Sequence, residues 1–244
     1  MTQLFRAARQ NRIFQDVVEQ IQEAIIEGHL KVGDRLPAER ELKEMLQTSR
    51  STLREALRVL EQKGLIEIKL GMGGGAVVKA VSSDLVTESL DLLIRSNQVS
   101  LRHIAEFRER VEGDVVRLAT SRMTESDRLV LKKLLDDARQ CAIRGTEAVS
   151  DFLTADKNIH LCFAKITRNP IYISILKTIH DNIRRYFDEF LVMEEPEMNE
   201  NLQDLEDVIK AMENGDAEKA GDIAQTHVKR FNRYMEIRER RHTA

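Results

Sequence analysis

The sequence predicts a mostly α-helical chain in two parts, three helices with a β-hairpin and then an all-α bundle of six or seven helices. Three observations lead there. Apolar residues recur at helical spacing through most of the chain, as in the run Leu101, Ile104, Phe107, Val111, Val115 and Leu118. One stretch alternates instead at the period of a strand, Ile66-Glu67-Ile68-Lys69-Leu70, and GMGGG and Ala76-Val77-Val78 follow it, a hairpin pattern with a glycine tip. With 244 residues and 42% apolar content, the chain can fill two cores.

Residues 1–11 show no period and read as a flexible arm in which Arg6 and Arg9 could touch phosphate. From Arg12 to Glu27 the positions Phe14, Val17, Val18, Ile21 and Ile25 line one helical face, and Gly28 closes it. Pro37 suits the first position of a second helix, on which Leu42, Met45 and Leu46 recur before a stop near Gln47. Thr48 and Ser49 offer capping oxygens for a third helix beginning near Arg50, with a Thr52-x-x-Glu55 box just inside. Its apolar face is Leu53, Ala56, Leu57 and Leu60, and Gly64 ends it.

The other face of that third helix carries Arg50, Arg54 and Arg58 one turn apart, with Ser49, Ser51 and Thr52 at its N-terminal end. Helix N-termini attract phosphate, and arginine forks suit phosphate or guanine edges. A solvated arginine face on an ordinary helical hairpin has the same spacing. The hairpin after Gly64 separates the two readings, because a two-stranded wing next to such a helix makes a winged helix-turn-helix. Its glycine tip lets backbone approach a groove closely.

After the wing, AVSSD marks a boundary, and Ser82 or Ser83 can cap a helix from Asp84 to about Arg95. Helices follow at about 100–121, 125–143, 147–168, 171–192, 199–213 and 217–239. The breaks fall at Arg144-Gly145, Asn169-Pro170, Glu195-Pro196 and Asn214-Gly215-Asp216. The chain therefore divides into an arm (1–11), a winged helix-turn-helix (12–80), a linker with a connecting helix (81–99) and a helical domain (100–240).

A net charge of −3 argues against coating nucleic acid by bulk electrostatics, but not against a local reader. Residues 1–80 hold 13 Lys and Arg against 11 Asp and Glu, or +2, which leaves 25 against 30, or −5, for the rest. The asymmetry has the sign expected of an N-terminal nucleic-acid binder. Cys141 and Cys162 have no C-x-x-C spacing and read as thiols rather than a disulfide. No apolar run approaches a membrane span and no signal-peptide pattern is present, so a soluble, cytoplasmic protein without a membrane partner is expected.

In the helical part, Asp156 and His160 stand four apart on an inward face with Phe152, Leu153 and Phe163. His227 lies among Ile223, Phe231 and Met235. A carboxylate and imidazoles converging in a bundle suit a divalent cation, while the same residues also fit satisfied core positions. No H-E-x-x-H pair is present, and GMGGG lies between strands rather than before a helix, which weighs against a helical metalloenzyme or a nucleotide-binding enzyme.

The run GHLKVGDRLPAERELKEMLQTSRSTLREALRVLEQKGLIEIKLGMGGGAVV resembles the DNA-binding domain of the GntR superfamily of bacterial transcription regulators, across nearly all of residues 12–80. The pattern EFRERVEG…FLTADKNIHLCFAKITRNP…VIKAMENGDAEKAGDIAQTHV resembles the all-helical FCD ligand-binding domain of its FadR subfamily. The resemblance implies a non-enzymatic homodimeric regulator that binds a palindromic double-stranded DNA operator and responds to a small organic acid. It carries DNA contacts over to Arg40, Ser49, Arg50, Thr52, Arg54 and the wing glycine Gly71, with Arg50 reading a base and Arg40 and Arg54 holding phosphate. The rivals are a dimeric DNA-binding protein without an effector and, more remotely, a metalloenzyme.

In many members of that family an aspartate and three histidines bind a divalent metal, such as zinc, nickel or manganese, beneath a cavity for a small carboxylate. The resemblance places Asp156, His160 and His227 on three of those positions and Leu205 on the fourth. The departure leaves three outcomes: a weaker site, replacement of the lost ligand by His180 or Asp204, or a metal-free cavity. Arg108 matches an arginine that faces the effector, and an ion pair with Glu112 one turn on is its alternative role.

Overall fold

The computed structural model describes residues 12–71, 74–80, 84–96, 98–190 and 193–243. The arm with Arg6 and Arg9, and the two serines expected to cap at 82–83, lie outside the described residues. The chain divides between Leu85 and Val86 into two compact units, each with its own core. Among the described residues the secondary structure is ten α-helices, one short 3-10 turn and a two-stranded sheet, the mostly helical class expected.

In the first unit α1 (Arg12–Ile26) packs Val17, Val18 and Ile21 onto α3 (Arg50–Gln62), which returns Leu53, Ala56, Leu57 and Leu60. The short α2 (Glu39–Met45) precedes α3. Pro37 lies two residues further out than expected, because Ala38 is the N-cap and Glu41 supplies the missing oxygen by accepting from the Ala38 N–H at 3.3 Å. Met45 is also not part of the core face. It is 70% exposed, and a helix of seven residues offers Leu42 as its one buried apolar position.

The turn from α2 to α3 includes Gln47 with φ at +45°, a left-handed conformation that costs a non-glycine residue energy and that redirects the chain within the four residues between the helices. Ser49 then caps α3 by accepting from the Thr52 N–H at 3.1 Å, so Thr52 is the third helical residue and the expected Thr52-x-x-Glu55 box does not form the cap. Gly64, at φ +68°, ends α3 and sends the chain into β1 (Ile66–Lys69). β1 pairs antiparallel with β2 (Gly75–Val78), Ile66 opposite Val78 and Ile68 opposite Ala76. Leu36 donates to Ala76 O at 2.9 Å, which ties the entry to α2 onto the wing.

The second unit contains all but the first two residues of α4 (Asp84–Arg95), and α5 (Leu101–Arg122), α6 (Glu125–Ile143), α7 (Val149–Ile166), α8 (Pro170–Phe190), α9 (Glu195–Glu213) and α10 (Ala217–Thr243). Leu90 and Ile94 of α4 pack on its core. The 3-10 turn at Gly145–Ala148 delays α7 by two residues relative to expectation. α9 starts four residues early, because Pro196 sits in its first turn, where a missing N–H leaves no bond unmade.

α7 is buried on nearly every side, with Phe152, Ile159, Phe163, Ala164 and Ile166 at 1% exposure or less, and it packs on α5, α6 and α8. A polar residue on its inner face must therefore find a partner inside the bundle. α5 and α10 run together along much of their length, and Gly113 and Gly221 meet where they cross. A Cβ on Gly113 would stand 3.0 Å from Gly221 O, and one on Gly221 only 2.5 Å from Arg117 Cγ. This close approach sets α10, and with it His227, against the inner face of α5. Both cysteines are free thiols, and burial pushes the Cys162 thiol up to about 11.

Candidate functional sites

The first candidate site is the outer face of α3. Its N-terminal end gathers three hydroxyls, with Ser49 Oγ 2.9 Å from Ser51 Oγ and 2.8 Å from Thr52 Oγ1. Arg50 and Arg54 are 70% and 55% exposed, and both turn toward Glu39 in the first turn of α2. Arg40 is more exposed still, and its Nε is 3.5 Å from Glu44. Ion pairs this exposed contribute about 1 kcal/mol or less, so a phosphate can displace them. Gly71 is exposed at the end of β1 with φ +95°, and its carbonyl accepts from the Gly74 N–H at 2.9 Å. The six residues named from the resemblance thus lie on α2, the start of α3 and the wing of one unit.

The second candidate site lies inside the helical unit. Asp156 and His160 on α7 meet His227 on α10, all nearly inaccessible. His160 Nε2 is 3.7 Å from Asp156 Oδ1 and 3.2 Å from His227 Nε2, and His227 Nε2 is 3.5 Å from the same oxygen. Tetrahedral ligands at zinc distances stand about 3.3–3.4 Å apart, so the three atoms have the spacing of one tetrahedral face. Asp156 Oδ1 makes no hydrogen bond and is buried, an orphan acceptor that a cation would satisfy.

Charge points the same way. Arg108 pairs with Glu112 through a short Nε contact, and Arg230 holds Asp204 at 2.6 Å, while among the described residues Asp156 has imidazoles alone within ion-pair distance and feels Arg108 only from further off. Burial alone would push the His227 imidazole down, yet the negative charges of Asp156 and Asp204, 3.5 and 3.4 Å away, win and raise it to about 9. Burial likewise opposes ionisation of Asp156, but the two imidazoles hold its carboxyl below the usual range. Without a metal, a proton on His227 supplies the missing positive charge. The residues fit a divalent cation on geometry, donor type and charge.

The fourth family position behaves differently from either expected substitute. Leu205 on α9 is 1% exposed and part of the core. Its neighbour Asp204 turns to His227 Nδ1, at 3.4 Å, on the side of the ring away from Asp156. His180, on α8, does not join the triad. Its Nε2 lies 3.3 Å from Glu112 Oε1, in a second buried group of Glu112, His160 and His180. Burial pushes His180 down, in keeping with a neutral ring.

Glu112 is the residue that sequence reasoning undervalued, naming it only as an ion-pair partner. It is 2% exposed and in short contact with Arg108 Nε on one oxygen and His160 Nδ1 on the other. Burial would raise its carboxyl, but Arg108 and the two imidazoles hold it well below the usual range. The Arg108–Glu112 pair is formed, and Arg108 Nη1 has no hydrogen-bond partner while its guanidinium stands 5.9 Å from the Phe231 ring centroid. The only cue to Glu112 in the sequence was its place one turn after Arg108 on the inner face of α5.

A family model of the FCD domain matches residues 103–230, and one described as bacterial regulatory proteins, gntR family, matches residues 14–78. The Uxu operon regulator of Haemophilus influenzae is 29% identical over 165 residues, which cover 68% of this chain and 58% of that protein, less than two thirds of its length. The HTH-type transcriptional repressor NanR of Klebsiella aerogenes is 26% identical over 236 residues, covering 92% of this chain and 85% of that one. Among solved structures, Streptococcus agalactiae GntR matches with a TM-score of 0.62 at 25% identity, over 90% of this chain and 99% of that chain. Among the described residues no helix is long and apolar enough to cross a membrane.

Proposed function

We propose a function that starts from kinship: the chain belongs to the GntR family of bacterial regulatory proteins and carries an FCD domain, and it acts as a DNA-binding transcription regulator controlled by a small organic acid. Within that family it fits the FadR subfamily, works as a cytoplasmic homodimer and reads a palindromic operator, one half-site per protomer. Residues 12–80 bind DNA, 81–99 connect, and 100–240 bind effector and dimerise. Its task is binding rather than catalysis.

The observation that carries this reading is the solvent face of α3, where a serine-capped N-terminus and two arginines held by one half-buried acid stand beside a wing. Arg50 reads a base edge. Arg40 and Arg54 hold phosphate, Ser49 and Thr52 approach the backbone, and Gly71 brings the wing tip close. In the helical unit Asp156, His160 and His227 hold a divalent metal, which supplies a fixed positive charge for a carboxylate. Arg108 faces the same acid. The acid acts through its different affinity for two arrangements of the dimer.

The test is a gel-shift series against an operator selected from random duplex. Arg50→Ala should cost about 1–3 kcal/mol and relax preference at one base pair, whereas Arg54→Ala should weaken all duplexes alike and flatten the salt slope by about one unit. Equal binding by Arg50→Ala and the parent would remove Arg50 from base reading.

A further inference from the structure

His160 lies between two carboxylates, one at each ring nitrogen. Nε2 faces Asp156 Oδ1 and the opposing ring, and Nδ1 is in short contact with Glu112 Oε2. His227 has a looser version of the arrangement, with Nε2 toward Asp156 and Nδ1 3.4 Å from Asp204 Oδ2 without an aligned hydrogen bond. A neutral imidazole has one N–H and one lone pair, so a carboxylate that takes the N–H at Nδ1 leaves the lone pair on Nε2. Both lone pairs then aim at the space bounded by Asp156 Oδ1. The backing carboxylates are themselves anchored, Glu112 by Arg108 and Asp204 by Arg230, so neither can swing in to become a ligand cheaply.

We propose that Glu112 and Asp204 are positioning residues of the metal site, holding His160 and His227 in the Nδ1–H form, and that Glu112, shared with Arg108, links the metal to the effector arginine. The inference rests on the metal reading given above. It assigns His180 a part as well. Its Nε2 stands 3.3 Å from the Glu112 oxygen that Arg108 now claims, without an aligned hydrogen bond, so it is the group placed to take that oxygen when Arg108 leaves it. An acid that draws Arg108 away frees Glu112 to accept more strongly from His160. A more electron-rich His160 grips the cation more tightly. Linkage makes the effect reciprocal, so metal strengthens acid binding by the same factor.

The experiment measures zinc affinity of the full chain by competition with a chromophoric chelator, and histidine tautomers of the metal-free chain by long-range proton–nitrogen NMR near pH 10, above the value of about 9 to which His227 is raised, where its ring is neutral and has a tautomer to read. Glu112→Gln and Asp204→Asn should each weaken zinc by about 10–100-fold. Glu112→Gln should also move His160 alone out of the Nδ1–H form, and Asp204→Asn His227 alone, a signature that a loss of packing would not give. Should Glu112→Gln fail to fold with Arg108 left unpaired, the double variant Glu112→Gln/Arg108→Met removes both charges and should show the same loss. Asp204→Asn, at a less buried residue, keeps the test open in any case. Variants that match the parent in affinity and tautomer overturn the positioning roles, and a parent that takes up no zinc overturns the metal reading beneath them.

Discussion

Glu39 holds Arg54 through both carboxylate oxygens, at 2.9 and 3.2 Å from Nε, and stands 3.5 Å from Arg50 Nε. One acid on α2 therefore restrains two arginines on α3 across the Gln47 turn. An exposed pair of this kind does little for stability. It does keep two long side chains extended along the helix face, which lowers the entropy lost when they meet a duplex.

Replacing that acid should loosen selectivity. Glu39→Gln removes a negative charge from the DNA face and frees both arginines, so affinity for scrambled duplex should rise by up to about fivefold at low salt, the equivalent of about 1 kcal/mol. Operator affinity should rise less. Fluorescence anisotropy against both duplexes across a salt series reads the ratio, and an unchanged scrambled-duplex affinity would take Glu39 out of the DNA face.

Arg108 carries a structural charge as well as its proposed effector role. Arg108→Ala strands Glu112 in the interior and should lower stability by about 3–5 kcal/mol, seen as an earlier denaturation midpoint. Arg108→Lys keeps the charge but not the planar fork, and should hold the fold and DNA affinity while shifting the response to acid by about tenfold or more. A lysine variant that responds at the parent's acid concentration would place the carboxylate elsewhere.

Leu205 is the position at which a metal ligand can be gained. Leu205→His buries an imidazole in place of core leucine, so the metal-free protein should melt earlier. With zinc the order should reverse, because a fourth ligand joins three already placed, and affinity by titration calorimetry should rise by about tenfold or more. A variant with no gain in zinc affinity would show that position 205 does not face the site.

The pH dependence has a definite sign. His227 is raised from 6.5 to about 9, so without metal it contributes stability that is fully present below about pH 6.5 and is lost as pH rises through about 9. Metal must displace that proton. Zinc affinity should therefore fall as pH drops below about 9, by about tenfold per unit, with close to one proton released per site at pH 7.5. Calorimetry in two buffers of different ionisation heat counts the proton, and a count near zero would leave His227 neutral and the argument from charge unsupported.

How much of this was legible in the sequence depended on distance along the chain. The face of α3 was read residue by residue, since Leu53, Ala56, Leu57 and Leu60 obey a period that a window of eight residues exposes. Met45 was misread because a two-turn helix gives too few positions to fix its phase. The start of α9 was misplaced because proline stops a helix in its interior and not in its first turn. Asp156 and His160 announced themselves by lying four apart. Glu112 was legible only as a partner of Arg108, and His180 and Asp204 only as replacements for a lost ligand, since they reach the cluster from α5, α8 and α9 and their places behind His160 and His227 depend on how the helices pack. What looked like a short-range pair between Arg108 and Glu112 is one link of a chain that crosses the bundle.

Gly113 follows Glu112 directly, and Gly221 lies six residues before His227, about 9 Å along α10. Where the two glycines meet, the helix carrying Glu112 and Arg108 and the helix carrying His227 share a fulcrum at which only Arg117 and Gln225 lay side chains against the backbone. A single methyl group on Gly113 would press on Gly221 O at 3.0 Å and shift the helix of His227 by a few tenths of an ångström. The proposed grip on an ion therefore depends also on a place that would hold no ligand, and inheritance can retune it there by one carbon atom while Asp156, His160 and His227 stay as they are.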